Sequence, residues 1–240
     1  MSLRPEALKR WAENAQPHPC SLTWKRIAEQ AQFSLVTVMR QKSKGAMDPQ
    51  LVLEISRHWG HDPLAELGQF PGYEVLTQPP VQPTTMEALT QIPPELILGE
   101  THARLVEEPP AVQQIPDWGQ FPYAFSSWIS AMGPRDYNAA IRSVLGVSDS
   151  AVAKKITTPQ FKVNETVDVC LGLDLNVRLA LLILGHVTEN EAGFEPDLRA
   201  KALKYSSGEE LIAQIHHVER FMRRRLQISE SVTEAFETLT

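Results

Sequence analysis

Ten of the chain's 18 prolines fall between residues 71 and 125, among them the pairs Pro79-Pro80, Pro93-Pro94 and Pro109-Pro110. Each proline fixes φ and removes a backbone donor, so this stretch can be neither one long helix nor a central strand. The charges divide along the same line. Residues 71–125 hold seven acids against a single base, Arg104, whereas residues 1–70 hold nine Lys/Arg and seven acids. The net charge of −6 is therefore concentrated in the middle. Residues 71–118 read as a semi-rigid acidic connector with one or two short helices. Thr84 to Glu87 has the capping-box pattern ahead of Ala88 and Leu89, and Pro94 opens a second turn through Leu96, Leu98 and Leu105. Such a segment serves as a spacer or as a docking stretch for a partner chain.

Composition narrows the class. With 42% apolar residues over 240 positions, the chain can build one or two cores. The longest apolar stretch, Val177–Val187, contains Arg178 and is about half the roughly 20 residues of a membrane span, so no membrane is expected. The N-terminal MSLRPEALKRWAEN lacks an apolar signal core, and two cysteines, Cys20 and Cys170, suit a reducing cytoplasm. There is no Gly-rich phosphate loop, no His-Glu-x-x-His and no nucleophile elbow. His18 with Cys20, and His58 with His61, lack standard zinc spacing. Cys170 lies on an apolar helix face and reads as core. The expectation is a protein without catalytic residues, metal or cofactor, and not an enzyme.

The two ends of the chain resemble one another. Pro5 to Trp11 matches Pro122 to Trp128. Ala31, Phe33, Ser34 and Val38 match Leu145, Val147, Ser148 and Val152. Leu51, Ile55, Trp59, Gly60 and Asp62 match Val163, Val167, Leu171, Gly172 and Asp174. In the first copy, helical spacing puts Leu8, Trp11, Ala12 and Ala15 on one face, then Trp24, Ile27, Ala28 and Ala31 on another. Ser34 is placed to cap a helix carrying Leu35, Val38 and Met39, which stops at Gly45. A further helix with Leu51, Val52, Ile55 and Trp59 inward ends at Gly60.

Helix, short turn, helix is a packing unit with specific demands. Ala28 is the small residue where the helices approach, Phe33 plugs the turn, and Val38 locks the second helix. The run from Arg26 to Arg40, RIAEQAQFSLVTVMR, together with Trp59 to Leu64, WGHDPL, resembles the DNA-reading unit of Cro-like phage repressors and xenobiotic-response-element-type regulators. The likeness covers about residues 4–70, with Gln32 where the family usually has Gly, so a non-Gly residue is expected at φ > 0. Asn138 to Lys155 resembles the same unit with the turn glycine, Gly146, present and with Arg142 near the position where the family prefers a small residue. The implied fold is all-α: two tandem helix-turn-helix domains joined by a Pro-rich connector, plus a C-terminal helix. The divisions are 1–70, 71–118, 119–205 and 206–240.

In the family so resembled, the second helix lies in the major groove with its N-terminal residues at base edges. That implies base or phosphate contacts for Ser34, Leu35, Val36, Thr37, Arg40, Gln41, Lys42 and Lys44, and for Ser148, Ser150, Ala151, Lys154 and Lys155. The implied function is sequence-specific binding of double-stranded DNA by a transcriptional regulator, a repressor in a phage, prophage or bacterial setting. The alternative is a protein-interaction adaptor, antitoxin-like or repressor-modulating, which the net negative charge favours. Val177–Val187, apolar on nearly all sides, must be buried in its domain or in a homodimer interface. Ser207 starts a C-terminal helix whose stripe of Leu211, Ile215, Val218, Met222 and Leu226 packs on its own domain or forms a homodimer seam.

Overall fold

The computed structural model describes residues 2–17, 21–107, 114–121 and 123–219. His18, Cys20, Pro109, Pro110, Pro122, Met222 and Leu226 lie outside them. Among the described residues the regular structure is all-helical, and the only β contact is one antiparallel bridge between Leu3 and Met47.

The first part forms α1 (Pro5–Ala15), α2 (Trp24–Gln30), α3 (Leu35–Ser43), α4 (Gln50–Trp59) and α5 (Pro63–Leu67). Their starts are set by local chemistry. Pro5 opens α1, Thr23 Oγ1 accepts the Arg26 N–H, Ser34 Oγ accepts the Thr37 N–H, and Asp62 accepts from Leu64 and Ala65. The proline-rich middle follows with a 3-10 turn (Glu74–Thr77), α6 (Thr85–Leu89) and α7 (Pro94–Leu105). Both halves of the Thr84–Glu87 capping box are made, and Pro94 opens α7. The last part contains α8 (Ala124–Met132), α9 (Tyr137–Leu145), α10 (Asp149–Thr157), α11 (Val163–Leu173), α12 (Val177–Ile183), α13 (Glu189–Ala192) and α14 (Leu198–Tyr205). A further helix, α15, spans 208–219 within the described residues, opened by a reciprocal pair of hydrogen bonds between Ser207 and Glu210.

One continuous apolar core runs through both ends of the chain, from Leu3, Leu8 and Trp11 to Leu181, Val187 and Phe194. Tyr73 and Leu76 of the proline-rich middle are part of it, as is Trp118. A smaller satellite core joins Ala88, Leu89, Ile92 and Ile97 to Ala202 and Leu211. The described part of the acidic middle is thus packed against both cores rather than running free. Its polar ties are numerous: Arg178 donates to the carbonyls of Leu76 and Gln78, Asn176 to that of Val81, and Gln82 to that of Gly193. Arg104 crosses to the end of α14 and donates to the carbonyls of Leu203, Lys204 and Ser206, acceptors a helix end leaves open. Gly119, at φ +71, sits so close to Ile183 that a Cβ there would collide with its carbonyl.

Val177–Val187 is buried within its own chain, not held out as a dimer seam: Val177, Leu179 to Ile183 and Val187 are all buried, with α12 packed on α8, α11 and α13. The helical part is short because Gly185 takes φ +73 directly after it. The C-terminal stripe turns Leu211 fully inward and packs Ile215 on the satellite core.

Several caps and buried positions recur between the two ends of the chain. From α2 to α5 the counterpart of each residue lies 114 positions on. Ile27 and Ile141 are buried, as are Val38 and Val152, Leu53 and Val167, Ile55 and Val169, and Leu67 and Leu181. Ser34 and Ser148 cap the third helix of each copy, and Asp62 and Asn176 the fifth. Gly60 and Asp174 both take the left-handed conformation. The N–H groups behind them close the same bond, His61 to Ser56 O at 2.9 Å and Leu175 to Cys170 O at 2.8 Å. This corrects the register read from sequence for the fourth helix by two residues: Trp59 corresponds to Leu173, not Leu171. For the first helix the separation is 117, and Leu8, Trp11 and Ala12 are buried like Phe125, Trp128 and Ile129.

The copies are pinned together by Arg57 at the end of α4. Its Nε and Nη2 donate to the two carboxylate oxygens of Glu191 at 2.7 and 2.8 Å. Nη1 donates to Glu54 at 2.8 Å, and Nη2 also to the His186 carbonyl at 2.6 Å. The hydrogen bond to Glu191 holds the Arg57 pKa above its ordinary value. Burial alone would raise Glu191, but the bonds from Arg57 and from the Thr188 N–H outweigh it and its pKa falls below 4.5. Nearby His186, its Nε2 2.9 Å from the Phe161 carbonyl, is pushed below 6.5 chiefly by burial.

Replacing Arg57 by Ala is expected to cost about 2–3 kcal/mol in denaturant unfolding, because Glu191 keeps its burial and loses its partner. Both titrations have the same sign. The unfolded chain binds the proton more readily, so stability is complete at neutral pH. It begins to fall below pH 6.5 through His186 and falls further below 4.5 through Glu191. Urea midpoints measured between pH 8 and 4 check this order, and His186→Asn should remove the first decline.

Candidate nucleic-acid interface

The α2–α3 pair is built from the demands read in the sequence. Ile27, Ala28, Ala31 and Val38 are buried between the helices and α4, and Phe33 packs against the core from the turn. The turn closes with the Phe33 N–H on the Ala28 carbonyl at 2.9 Å. Gln32 takes φ 58, the left-handed region that its missing glycine would have entered without strain.

With Val38 inward, 100° per residue puts Leu35, Val36, Met39, Arg40 and Ser43 on one outer arc of α3. Leu35 is 41% exposed, Val36 78% and Met39 42%, and Arg40 is exposed beside them. Lys42 stands at the edge of this arc, its Nζ 5.3 Å above the Trp24 ring, and Lys44 lies just past the helix end. No carboxylate lies on α3 itself, and none is within ion-pair distance of Arg40, Lys42 or Lys44 among the described residues. The sequence places Met39 on this helix with Leu35 and Val38 without assigning it a side. The signal for its exposure is its place one residue beyond Val38, which turns it away from the core.

The other candidates on this helix serve the scaffold. Ser34 Oγ accepts the Thr37 N–H at 3.1 Å and donates to Thr37 Oγ1 at 2.8 Å. Gln41 lies on the inner side, where its Oε1 accepts the Asp48 N–H at 2.9 Å and holds the loop into α4. Sequence spacing could not show this, because the partner is a backbone group in a loop seven residues on.

The second copy presents the same frame with a different face. Gly146 is left-handed at φ 64, Val147 packs on the core, Ser148 Oγ accepts the Ala151 N–H, and Val152 is buried. Arg142, opposite Ala28 in the repeat, is exposed and makes a 3.0 Å pair with Asp149. The positions matching Leu35, Val36, Met39 and Arg40 are Asp149, Ser150, Ala153 and Lys154, all exposed. Lys155 matches Gln41 and is likewise committed to the following loop: its Nζ donates to Glu165 at 2.7 Å and to the Gln160 carbonyl at 3.2 Å. Of the basic candidates in this copy, Lys154 alone is free of an ion pair among the described residues.

Elsewhere, Cys170 is fully buried and its thiol pKa is raised by burial, which leaves it core rather than nucleophile. His61 sits 3.2 Å from Glu66, which also accepts the Trp11 indole N–H at 2.8 Å. No helix among the described residues is long and apolar enough to cross a membrane.

The two turns make a matched test. Gln32→Gly is expected to stabilise the chain by about 0.5–1 kcal/mol by relieving a left-handed non-Gly residue, and Gly146→Ala to destabilise it by about 1 kcal/mol. Open space around Gly146 makes that second effect purely conformational; thermal unfolding of both variants measures it. No family model, curated protein or solved structure matches the chain, so the role of this face is read from its own residues.

Proposed function

We propose that the chain is a sequence-specific double-stranded DNA-binding transcriptional regulator of the phage-repressor kind, in which α2 and α3 act as a helix-turn-helix and α3 enters the major groove. The observation that carries this reading is the outer arc of α3: apolar side chains and Arg40 exposed together, with Lys42 and Lys44 alongside and no acid on the helix. A stable helix usually hides its apolar residues or surrounds them with mixed charge. A helix that offers them beside unopposed cations suits a groove lined by phosphates and base edges. In this reading Arg40 donates to guanine, and Lys42 and Lys44 to phosphates. In the second copy Asp149 at the helix start and the commitment of Lys155 to Glu165 weaken the same surface. We assign DNA reading to the first copy and a supporting role to the second.

One observation favours a second reading. Leu35, Val36 and Met39 form an exposed apolar cluster, which also suits docking to a protein, as the adaptor reading requires.

Salt separates the two. With two or three phosphate contacts, DNA affinity should fall roughly 10- to 40-fold between 50 and 200 mM salt. The measurement is binding by the full chain to duplexes it selects from a random pool. Arg40→Ala should keep the fold and lose about 1–3 kcal/mol of preference at one guanine position. No selection by the folded chain would transfer α3 to the adaptor reading.

A further inference from the structure

The hydrogen-bonding side chains that a groove-reading helix would use are engaged within the chain. Ser34 and Thr37 are joined in the cap of α3, and Gln41 is turned to the Asp48 N–H on the inner side. With Ser43 Oγ donating to the Arg40 carbonyl at 2.9 Å, what remains on the outer arc is three apolar side chains, with Val36 the most exposed, and one guanidinium. The apolar group that B-DNA offers in its major groove is the C5-methyl of thymine; the other base-edge atoms there are donors and acceptors. A cytosine N4 donor pressed against Val36 would lose water and gain no acceptor.

Resting on the DNA reading above, we infer that α3 recognises duplex DNA mainly through the 5-methyl groups of pyrimidines, thymine and 5-methylcytosine alike, with Arg40 making its one direct polar base contact. Charge complementarity argues for this occupant: Arg40, Lys42 and Lys44 stand in the last turn of α3 and just past it, next to the apolar arc, and α3 carries no carboxylate to repel a phosphate backbone. The site thereby responds to a covalent mark on DNA. Methylation of a cytosine at C5 places a methyl where Leu35, Val36 or Met39 expects one.

The test begins with the duplex that the full-length chain enriches from a random pool. Each thymine in turn is replaced by deoxyuridine, which keeps every hydrogen-bonding group and removes only the methyl. At one or two positions affinity should fall about fourfold, the effect of one buried methyl-sized group. At the same positions a 5-methylcytosine·guanine pair should bind about fourfold more tightly than a cytosine·guanine pair. Val36→Ser, a change at a solvent-facing position, should remain folded by circular dichroism and lose most of the uracil penalty. A duplex bound equally well with uracil at every position overturns the inference while the DNA reading stands. A uracil penalty undiminished in both Val36→Ser and Leu35→Ser overturns the assignment of methyl reading to this arc. If the folded chain enriches no duplex, the DNA reading itself falls and the methyl inference falls with it.

Discussion

Two helical copies can share one core only if the polar helix ends that meet at their junction find partners there, and Arg57 is where that condition is met. Its guanidinium reaches both carboxylate oxygens of Glu191, the carboxylate of Glu54 and the carbonyl of His186. Planar geometry and five fixed donors let one side chain satisfy all of these, which an ammonium could not do. The apolar residues around it can then remain continuous from Leu3 to Phe194. Arg178 plays the complementary part from the second copy, closing carbonyls at Leu76, Gln78 and Ala192. Burial tends to lower the Arg178 pKa, and the backbone acceptors around it compensate for lost water.

The repeat shows which positions such a frame constrains. At several buried positions the second copy keeps an apolar residue of similar size, Ile27 and Ile141, Val38 and Val152, Leu67 and Leu181, whereas buried Ala28, Leu51 and Leu64 are matched by Arg142, Glu165 and Arg178. Where a backbone N–H needs a cap, it keeps a short oxygen-bearing side chain: Ser34 and Ser148, Asp62 and Asn176. Where the chain turns left-handed, glycine and a polar residue exchange places, Gln32 for Gly146 and Gly60 for Asp174. On the outer arc nothing in the fold constrains the choice, and there the copies part: Leu35, Val36, Met39 and Arg40 against Asp149, Ser150, Ala153 and Lys154. A surface free of structural demand is where function can act, and it is there that the two arcs differ in chemistry.

Much of this was legible in the amino-acid sequence because it depends on near neighbours. Caps, left-handed turns and the inward faces of α1 to α4 follow from spacing within a few residues, and Thr84 with Glu87 announced its capping box. The register of the fourth helix did not follow. Leu171 and Leu173 are both apolar and two residues apart, so periodicity could not choose between them, whereas the left-handed Asp174 and its closing bond did. Gln41 and Lys155 looked like exposed polar residues on a reading helix. Their loop partners, a backbone N–H at Asp48 and a carboxylate at Glu165, come into reach only when the chain folds back.

By itself, then, the sequence determined most of the helices, several of their capped ends, the buried side of α3 and the absence of a long helix or central strand through the prolines, since these rest on local geometry and periodicity; α13 and α14 were not read from it. Only the tertiary structure decided that the acidic middle is packed into the cores, that Val177–Val187 is buried in its own chain, that one guanidinium pins the two copies, and that α3 is left with an apolar arc and a single unengaged arginine. Those outcomes depend on contacts between residues as far apart as 134 positions, as with Arg57 and Glu191. Over such separations hydrophobicity says that a residue will be buried, and only the packed chain says against what.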